Sequence, residues 1–269
     1  MPDPASRPVV FLPGGVTPVA LSYAPLLAEL GGEIEPHLKE LEVYAADEPP
    51  ADYSLRTEVA GLARFVDTEG LDTFHLVGFS GGGASSLAYV AVYPERVRSL
   101  AIFEPASLPG PLEPDERADF GDLGELMGTL PPDQAMAEFT RWHLRPGVEP
   151  PAPPSGPAPA WMARRPAGLA AFMRAFDNDT TDRSAFRRCR FPVYLAYGLL
   201  SGESFVRRTQ RLAGLLPDVW VQAYEDVHHF VPPQRSHPAR YAMALRQLWD
   251  RADGVTKTES PHRDPTYAA

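Results

Sequence analysis

The segment GFSGG places Ser80 between an apolar run, Phe74 to Val77, and a run of small residues from Gly83 to Tyr93. The pattern predicts a strand, a tight turn with the serine at its tip, and a helix. Glycines beside the serine suit a turn in which the two backbones nearly touch, the arrangement known as a nucleophile elbow. Such a serine attacks carbonyl carbons when a base, a group that orients the base, and oxyanion donors surround it.

The base is expected after the last strand, because the carboxyl ends of parallel strands converge on one edge of a sheet. Of the seven histidines, His228 and His229 follow the final strand candidate, Val219 to Tyr224. We favour His229 because an aromatic residue and a proline-containing turn follow it directly. A metal site formed by the adjacent pair is disfavoured, since successive side chains diverge, and a purely structural role stays open.

Oxyanion donors are expected from the backbone amide after the nucleophile and from the loop after the first strand. The first donor is Gly81, at the start of the elbow helix. The second loop reads PGGV, and its glycines allow an amide to face a pocket without an intervening Cβ. We predict Gly15 as the second donor, with an ordinary glycine turn as the alternative.

The acid that would orient the base has three candidates. Glu104 ends the strand after the elbow helix, where a carboxylate would face the edge at which Ser80 is expected. Glu203 fits the first turn of a surface helix, where the helix dipole favours acids. Asp226 lies too near His229 in sequence to aim well in a tight loop. The pattern favours Glu104. It leaves open that Glu203 is the acid, or that neither residue is.

Short apolar runs alternate with helical patterns, which predicts a parallel sheet covered on both faces by helices. The predicted strands are Val9 to Leu12, Leu41 to Ala45, Phe74 to Val77, Ser99 to Phe103, Val193 to Tyr197 and Val219 to Tyr224. The predicted helices of this core are Tyr23 to Leu30, Leu55 to Glu69, Gly83 to Tyr93, Glu203 to Leu216 and Pro238 to Arg251. The core is thus assigned to 1–104 and 191–252.

Residues 105–190 interrupt this alternation with helical patterns and predict a helical cap inserted after the strand that ends near Glu104. Inside the cap, seven prolines between Pro146 and Pro159 exclude helix and favour an extended strap. The polar, aperiodic segment 253–269 is expected to be a disordered tail.

Composition excludes several classes of function. The chain has 269 residues and a formal charge of −10, with no clustered basic face, which disfavours nucleic-acid binding. Neither a signal peptide nor a membrane-spanning run is evident, so a cytoplasmic location is expected. The single cysteine, Cys189, excludes an internal disulfide and disfavours a thiolate metal site. No metal and no cofactor are expected.

The order of serine, acid and histidine, together with the elbow, resembles the α/β-hydrolase superfamily over about Val9 to Trp249. The motifs that carry the resemblance are HLVGFSGGGA at 75–84, YPERVRSLAIFEPA at 93–106, FPVYLAYG at 191–198 and HHFVPP at 228–233. Within the superfamily the chain resembles serine hydrolases of high-GC actinobacteria. The resemblance implies Ser80 as nucleophile, His229 as base, and the amides of Gly81 and Gly15 as the oxyanion hole.

Three departures from the family pattern matter. Many members have Asp where this chain has Ser201, whereas a minority use an acid at the position of Glu104, which supports Glu104. The usual His-Gly pair before the oxyanion donor is Pro13 and Gly14 here. The first two strands of the usual eight are absent, so the expected fold is an α/β-hydrolase fold with about six strands.

The residues and the resemblance together predict a serine hydrolase that cleaves an ester, thioester or lactone through an acyl-enzyme. Its expected partner is a small-molecule substrate with a hydrophobic acyl group, bound by a monomer or homodimer. Two alternatives remain: a catalytically silent small-molecule binder of this fold, and a carbon–carbon bond hydrolase that uses the same triad.

Overall fold

The computed structural model describes residues 7–152 and 157–255. Its centre is a six-stranded, fully parallel sheet in the order β2-β1-β3-β4-β5-β6, which confirms the predicted fold class. The strands are β1 Arg7–Leu12, β2 Ile34–Leu38, β3 Phe74–Phe79, β4 Val97–Phe103, β5 Val193–Gly198 and β6 Val219–Tyr224.

Helices cover both faces of the sheet. The helices of the core are α1 Val19–Leu30, α2 Leu55–Thr68, α3 Gly81–Val92, α7 Glu203–Leu215, α8 Pro233–Ser236 and α9 Pro238–Ala252. The helices between β4 and β5 are α4 Pro114–Thr129, α5 Pro132–Trp142 and α6 Arg165–Asp177. In the described residues, every helix is too short or too polar to cross a lipid bilayer.

The central strands are mostly apolar because both of their faces are covered. In β1, Val10 packs into one core cluster, while Val9 and Phe11 pack into the cluster on the opposite face. The same division holds for Leu76 and Val77 of β3. This two-sided burial explains why the strands appear as continuous apolar runs rather than alternating ones.

One predicted strand is wrong. Leu41 to Ala45 forms a short 3-10 turn, and the second strand is instead Ile34–Leu38. That strand contains Pro36, a residue that usually argues against a strand. Proline is tolerated here because β2 is the edge strand and pairs only with β1. The apolar side chains of the turn, Leu41 and Tyr44 among them, pack instead beneath α6.

Some segments assigned from the sequence lie partly outside the described residues. The described parts of the proline-rich strap, 146–152 and 157–159, contain neither helix nor strand, and 153–156 lie outside the description. Of the expected tail, 256–269 lie outside it. Asp253, where that tail was expected to begin, is bound by Arg7 at 2.9 Å and by Arg98 at 2.5 Å.

The helix α6 packs very closely on the 3-10 turn beneath it. A Cβ added at Gly168 would lie 2.0 Å from the ring of Tyr44. The Arg165 guanidinium lies over the face of the same ring, 3.9 Å from its centroid. A glycine therefore lets the helix approach the turn.

We predict that Gly168→Ala lowers the free energy of unfolding by about 1–3 kcal/mol, because the added methyl group forces Tyr44 to move. The matched control is Gly121→Ala in α4, where an added Cβ meets nothing within 4 Å. That change is expected to stabilise by about 0.5–1 kcal/mol through helix propensity. Chemical denaturation of both variants checks the pair, and equal effects would contradict the packing argument.

Candidate active site

Ser80 lies at the tip of the turn between β3 and α3, in a backbone conformation that is rare for a non-glycine residue. Its φ is 52° and its ψ is −116°. Its amide donates to the carbonyl of Phe103 at 3.2 Å, and its carbonyl accepts from the amide of Ala106 at 2.9 Å. Both bonds join the turn to the neighbouring chain at the end of β4, which holds the strained residue in place.

Two glycines make this turn possible. A Cβ at Gly78 would lie 2.6 Å from the hydroxyl oxygen of Ser86, and one at Gly82 would lie 2.4 Å from the carbonyl oxygen of Pro13. Both distances are shorter than real carbon contacts allow. The glycines that flank the serine in the sequence therefore let helix α3 meet β3 and the loop after β1.

His229 lies between the serine and a carboxylate. Its Nε2 is 2.9 Å from Oγ of Ser80, and its Nδ1 is 2.8 Å from Oε2 of Glu104. Its ring stacks on Phe205, with centroids 4.3 Å apart and an interplanar angle of 14°, and on His143 at 5.1 Å and 27°. The imidazole is thus fixed by hydrogen bonds at its edge and by rings on its faces.

Glu104 is fully buried and follows β4 directly. Its second carboxylate oxygen, Oε1, accepts a 2.8 Å hydrogen bond from the amide of Gly198. Its φ is 42°, and among the described residues Ser80 and Glu104 are the two non-glycine residues with positive φ. Backbone strain of this kind is concentrated at functional sites, which singles out both residues on grounds independent of side-chain chemistry.

The other acids weighed from the sequence lie elsewhere. Glu203 is exposed at the first residue of α7. Asp226 is exposed and lies 3.2 Å from Nε2 of His237, rather than beside His229. Ser201, at the position where many members of the resembled family have Asp, is buried; burial raises the pKa of Glu104, and the Ser201 hydroxyl opposes that rise.

The two expected oxyanion donors are neighbours. A Cβ added at Gly81 would lie 3.5 Å from the amide nitrogen of Gly15, and both glycines line one cavity with Ser80. The hydroxyl of Tyr44 donates to the carbonyl of Gly15 at 2.6 Å and so holds the loop after β1. Tyr44 was not identified from the sequence.

Two cavities meet at Ser80. The loop-side cavity is lined by the loop after β1 and the segment that contains His229, including Gly14, Val16, Phe230 and Pro232. The cap-side cavity adjoins the helices between β4 and β5, the expected cap, and has Phe120, Leu123, Phe172, Met173 and Phe176 in its wall. A substrate bound at the serine therefore has two separate directions in which to extend.

The cap-side cavity also contains two polar side chains that sequence reasoning missed, His143 and Arg208. A helical signal for Arg208 was available, because it lies on the same face of α7 as Phe205, Thr209 and Leu212, all of them buried. An arginine on an apolar stripe of a helix needs an explanation. No comparable signal marks His143.

Burial dominates the electrostatics of the site. It lowers the pKa of the His229 imidazole, and the positive charge of Arg208 lowers it further. Burial raises the pKa of Glu104, while Ser201, the amide of Gly198 and the Arg208 charge oppose that rise. Arg208 therefore favours a neutral imidazole beside an ionised carboxylate.

Within the described residues, no three His, Cys, Asp or Glu side chains are grouped so as to hold a metal ion. The arrangement that is present, a serine hydroxyl bonded to an imidazole bonded to a carboxylate, can do chemistry without one. It is able to transfer a proton from the serine and thereby generate a nucleophile.

The sequence of residues 41–143 matches the family model described as the alpha/beta hydrolase fold. A 64-residue segment is 42% identical to the monoacylglycerol lipase abhd6-A of Xenopus laevis. That match covers 23% of this chain and 19%, about a fifth, of the lipase.

Solved structures share the fold over most of the chain. MenH from S. aureus superposes with a TM-score of 0.70 at 14% identity, covering 92% of this chain and 94% of that one. An esterase from Thermogutta terrifontis, solved with malate bound, gives 0.68 at 16% identity, covering 92% and 91%. The naproxen esterase of Bacillus subtilis gives 0.61 at 17%, covering 92% and 85%.

None of these relatives supports the narrower resemblance to actinobacterial hydrolases. They agree with one another, with the family model and with the observed sheet on the fold. The chain has the α/β-hydrolase fold.

Proposed function

We propose that the protein is a carboxylic ester hydrolase that works through an acyl-enzyme on Ser80. The observation that carries the proposal is the continuous hydrogen-bonded row from Ser80 through His229 to Glu104. The similarity to esterases and to a lipase points in the same direction. Thioesters and lactones present the same carbonyl chemistry and belong to the same proposal.

The hydrogen bonds support one proposed role for each side chain. An ionised carboxylate only accepts hydrogen bonds, so the proton of a neutral His229 lies on Nδ1 and faces Glu104. The lone pair of Nε2 then faces Ser80 and takes its proton as Oγ attacks the carbonyl carbon. Glu104 keeps the ring in this tautomer and stabilises the imidazolium that forms.

The amides of Gly81 and Gly15 would receive the oxyanion of the tetrahedral intermediate. Gly81 adds the favourable field at the start of helix α3. Tyr44, through its bond to the carbonyl of Gly15, limits the motion of the second donor. Donors fixed before the reaction need no reorganisation when the charge develops.

The imidazolium then gives its proton to the leaving group, which must depart on the side of His229. His229 lines the loop-side cavity, so the alcohol would leave through that cavity. The acyl group, bonded to Ser80 with its oxygen near Gly81, would extend into the cap-side cavity. Water entering beside His229 would be activated by the same base and release the acid.

The first prediction from the proposed mechanism concerns labelling of the nucleophile. A fluorophosphonate probe should label the wild type, whereas Ser80→Ala and His229→Asn should lose labelling because the nucleophile or its base is missing. The matched control is Ser85→Ala, since the Ser85 hydroxyl is buried and donates to the carbonyl of Gly81. Mass spectrometry of the labelled peptide gives the readout. A folded wild type that stays unlabelled would support the silent binder instead.

The second prediction separates the candidate acids. Glu104→Gln should lower kcat/KM for a p-nitrophenyl ester by roughly 10³-fold or more, because the amide group favours the wrong tautomer of His229. Glu203→Gln, the control at the other candidate, should change kcat/KM by less than about twofold. Steady-state kinetics with thermal melting of both variants checks this. A loss confined to Glu203→Gln would reject Glu104 as the acid.

The third prediction concerns pH. The base acts only when neutral, and burial lowers the pKa of His229, so activity should extend below the ordinary histidine pKa of about 6.5. The acidic limb of the kcat/KM profile should therefore have its midpoint below pH 6.5. A midpoint above that value would show that the imidazole is more easily protonated than its burial implies.

A further inference from the structure

The cap-side cavity contains a buried cation that is not fully hydrogen-bonded and is not ion-paired among the described residues. Arg208 is 2% exposed and lines the same cavity as Ser80 and Gly81. Its Nη1 donates to the carbonyl of Pro105 at 3.1 Å, while its Nε is buried without a hydrogen-bond partner. Among the described residues, no carboxylate lies within ion-pair distance of this guanidinium.

The acids whose charges act on Arg208 are already engaged by other groups, Glu104 by His229 and two others by arginines. Glu116 lies 3.3 Å from Arg211 and 3.4 Å from Arg183. Asp119 lies 2.9 Å from Arg207 on the exposed side of α7. These carboxylates act on Arg208 only from a distance.

Two aromatic rings also lie near Arg208. Its guanidinium carbon lies 5.3 Å from the ring centroid of Phe205 and 5.6 Å from that of Phe120. Cation–π contacts of this kind contribute little compared with the cost of burying an unpaired charge. The cost of burying the Arg208 charge is offset best when an anion binds in the cavity.

We propose that Arg208 binds a carboxylate at the far end of the substrate's acyl group. The substrates would then be monoesters of short dicarboxylic acids. This inference rests on the proposed function, because it places the acyl group in the cap-side cavity, and it replaces a purely hydrophobic acyl group with one that ends in a charge.

The chemistry of the cavity fits such a group. A guanidinium presents a planar set of donors that matches the two oxygens of a carboxylate, and the dry surroundings strengthen the interaction. The cavity that Arg208 and Ser80 share also has apolar lining, including Leu123, Phe172 and Met173, against which a short methylene chain could pack. A substrate with a carboxylate at one end and an ester at the other therefore matches this cavity.

Arg208 also lowers the pKa of both His229 and Glu104 through its charge. This effect would alter the hydrolysis of every ester alike. Substrate recognition, in contrast, alters the ratio between a charged ester and its neutral counterpart. The test must therefore compare substrates within each variant.

The experiment measures kcat/KM for monoethyl and diethyl esters of succinate, glutarate and adipate in a pH-stat, corrected for the two ester groups of the diesters. The wild type should prefer the monoester at least tenfold for one chain length. Arg208→Gln should reduce that preference at least tenfold, and Arg208→Lys should retain part of it. Arg207→Gln, a neighbouring arginine on the exposed side of α7, is the control and should leave the ratio unchanged.

A binding measurement gives a readout independent of turnover. Free dicarboxylates should raise the Tm of Ser80→Ala but not of the double variant with Arg208→Gln. If Arg208→Gln does not fold, the wild-type ratio and the Arg208→Lys variant still decide the question.

The outcomes separate the two proposals. Ester hydrolysis without a preference for the monoester, or equal loss of both activities in Arg208→Gln, would overturn the anion site and leave the esterase intact. Absence of hydrolysis and of fluorophosphonate labelling would reject the esterase. Stabilisation by dicarboxylates that depends on Arg208 would then still support the anion site.

Discussion

The burial of the Glu104 carboxylate against His229 is the interaction on which the rest of the site depends. A charge removed from water is costly unless hydrogen bonds replace the lost solvation. Here the amide of Gly198 binds one oxygen and His229 binds the other. Because these two donors come from the ends of β5 and β6, the carboxylate joins three neighbouring strand ends and fixes the imidazole that faces Ser80.

The parallel register explains why two strained residues can be adjacent. Phe79 and Phe103 are partners in the sheet, so the residues that follow them, Ser80 and Glu104, leave their strands at the same level. Conformations of this kind cost of order 1–3 kcal/mol each and persist only where the surroundings determine them. The amide of Glu104 donates to Ala196 at 3.1 Å, and that of Ser80 donates to Phe103. The sheet thus holds both backbones where their side chains converge.

Much of this architecture follows from local patterns. The elbow could be predicted because glycines around a serine, between an apolar run and small residues, allow few other structures, and the fold class followed from alternating elements. The edge strand was missed because it contains Pro36, a residue that usually argues against a strand. The segment with Leu41 and Tyr44 has the pattern of a strand because it is mostly apolar, but these side chains pack beneath α6. The helical periodicity of α7 could have indicated that Arg208 is buried, but its place in the cavity beside Ser80 depends on packing against distant residues.

The hydrogen bond between Tyr44 and Gly15 connects helix α6, through the Tyr44 ring, to the loop after β1. The ring of Tyr44 is covered by Gly168 of α6, and its hydroxyl binds the carbonyl of the loop that carries the second amide. Displacement of α6 would uncover that ring and loosen the loop at the same time. The position of α6 and the order of the loop after β1 are therefore linked through one tyrosine side chain.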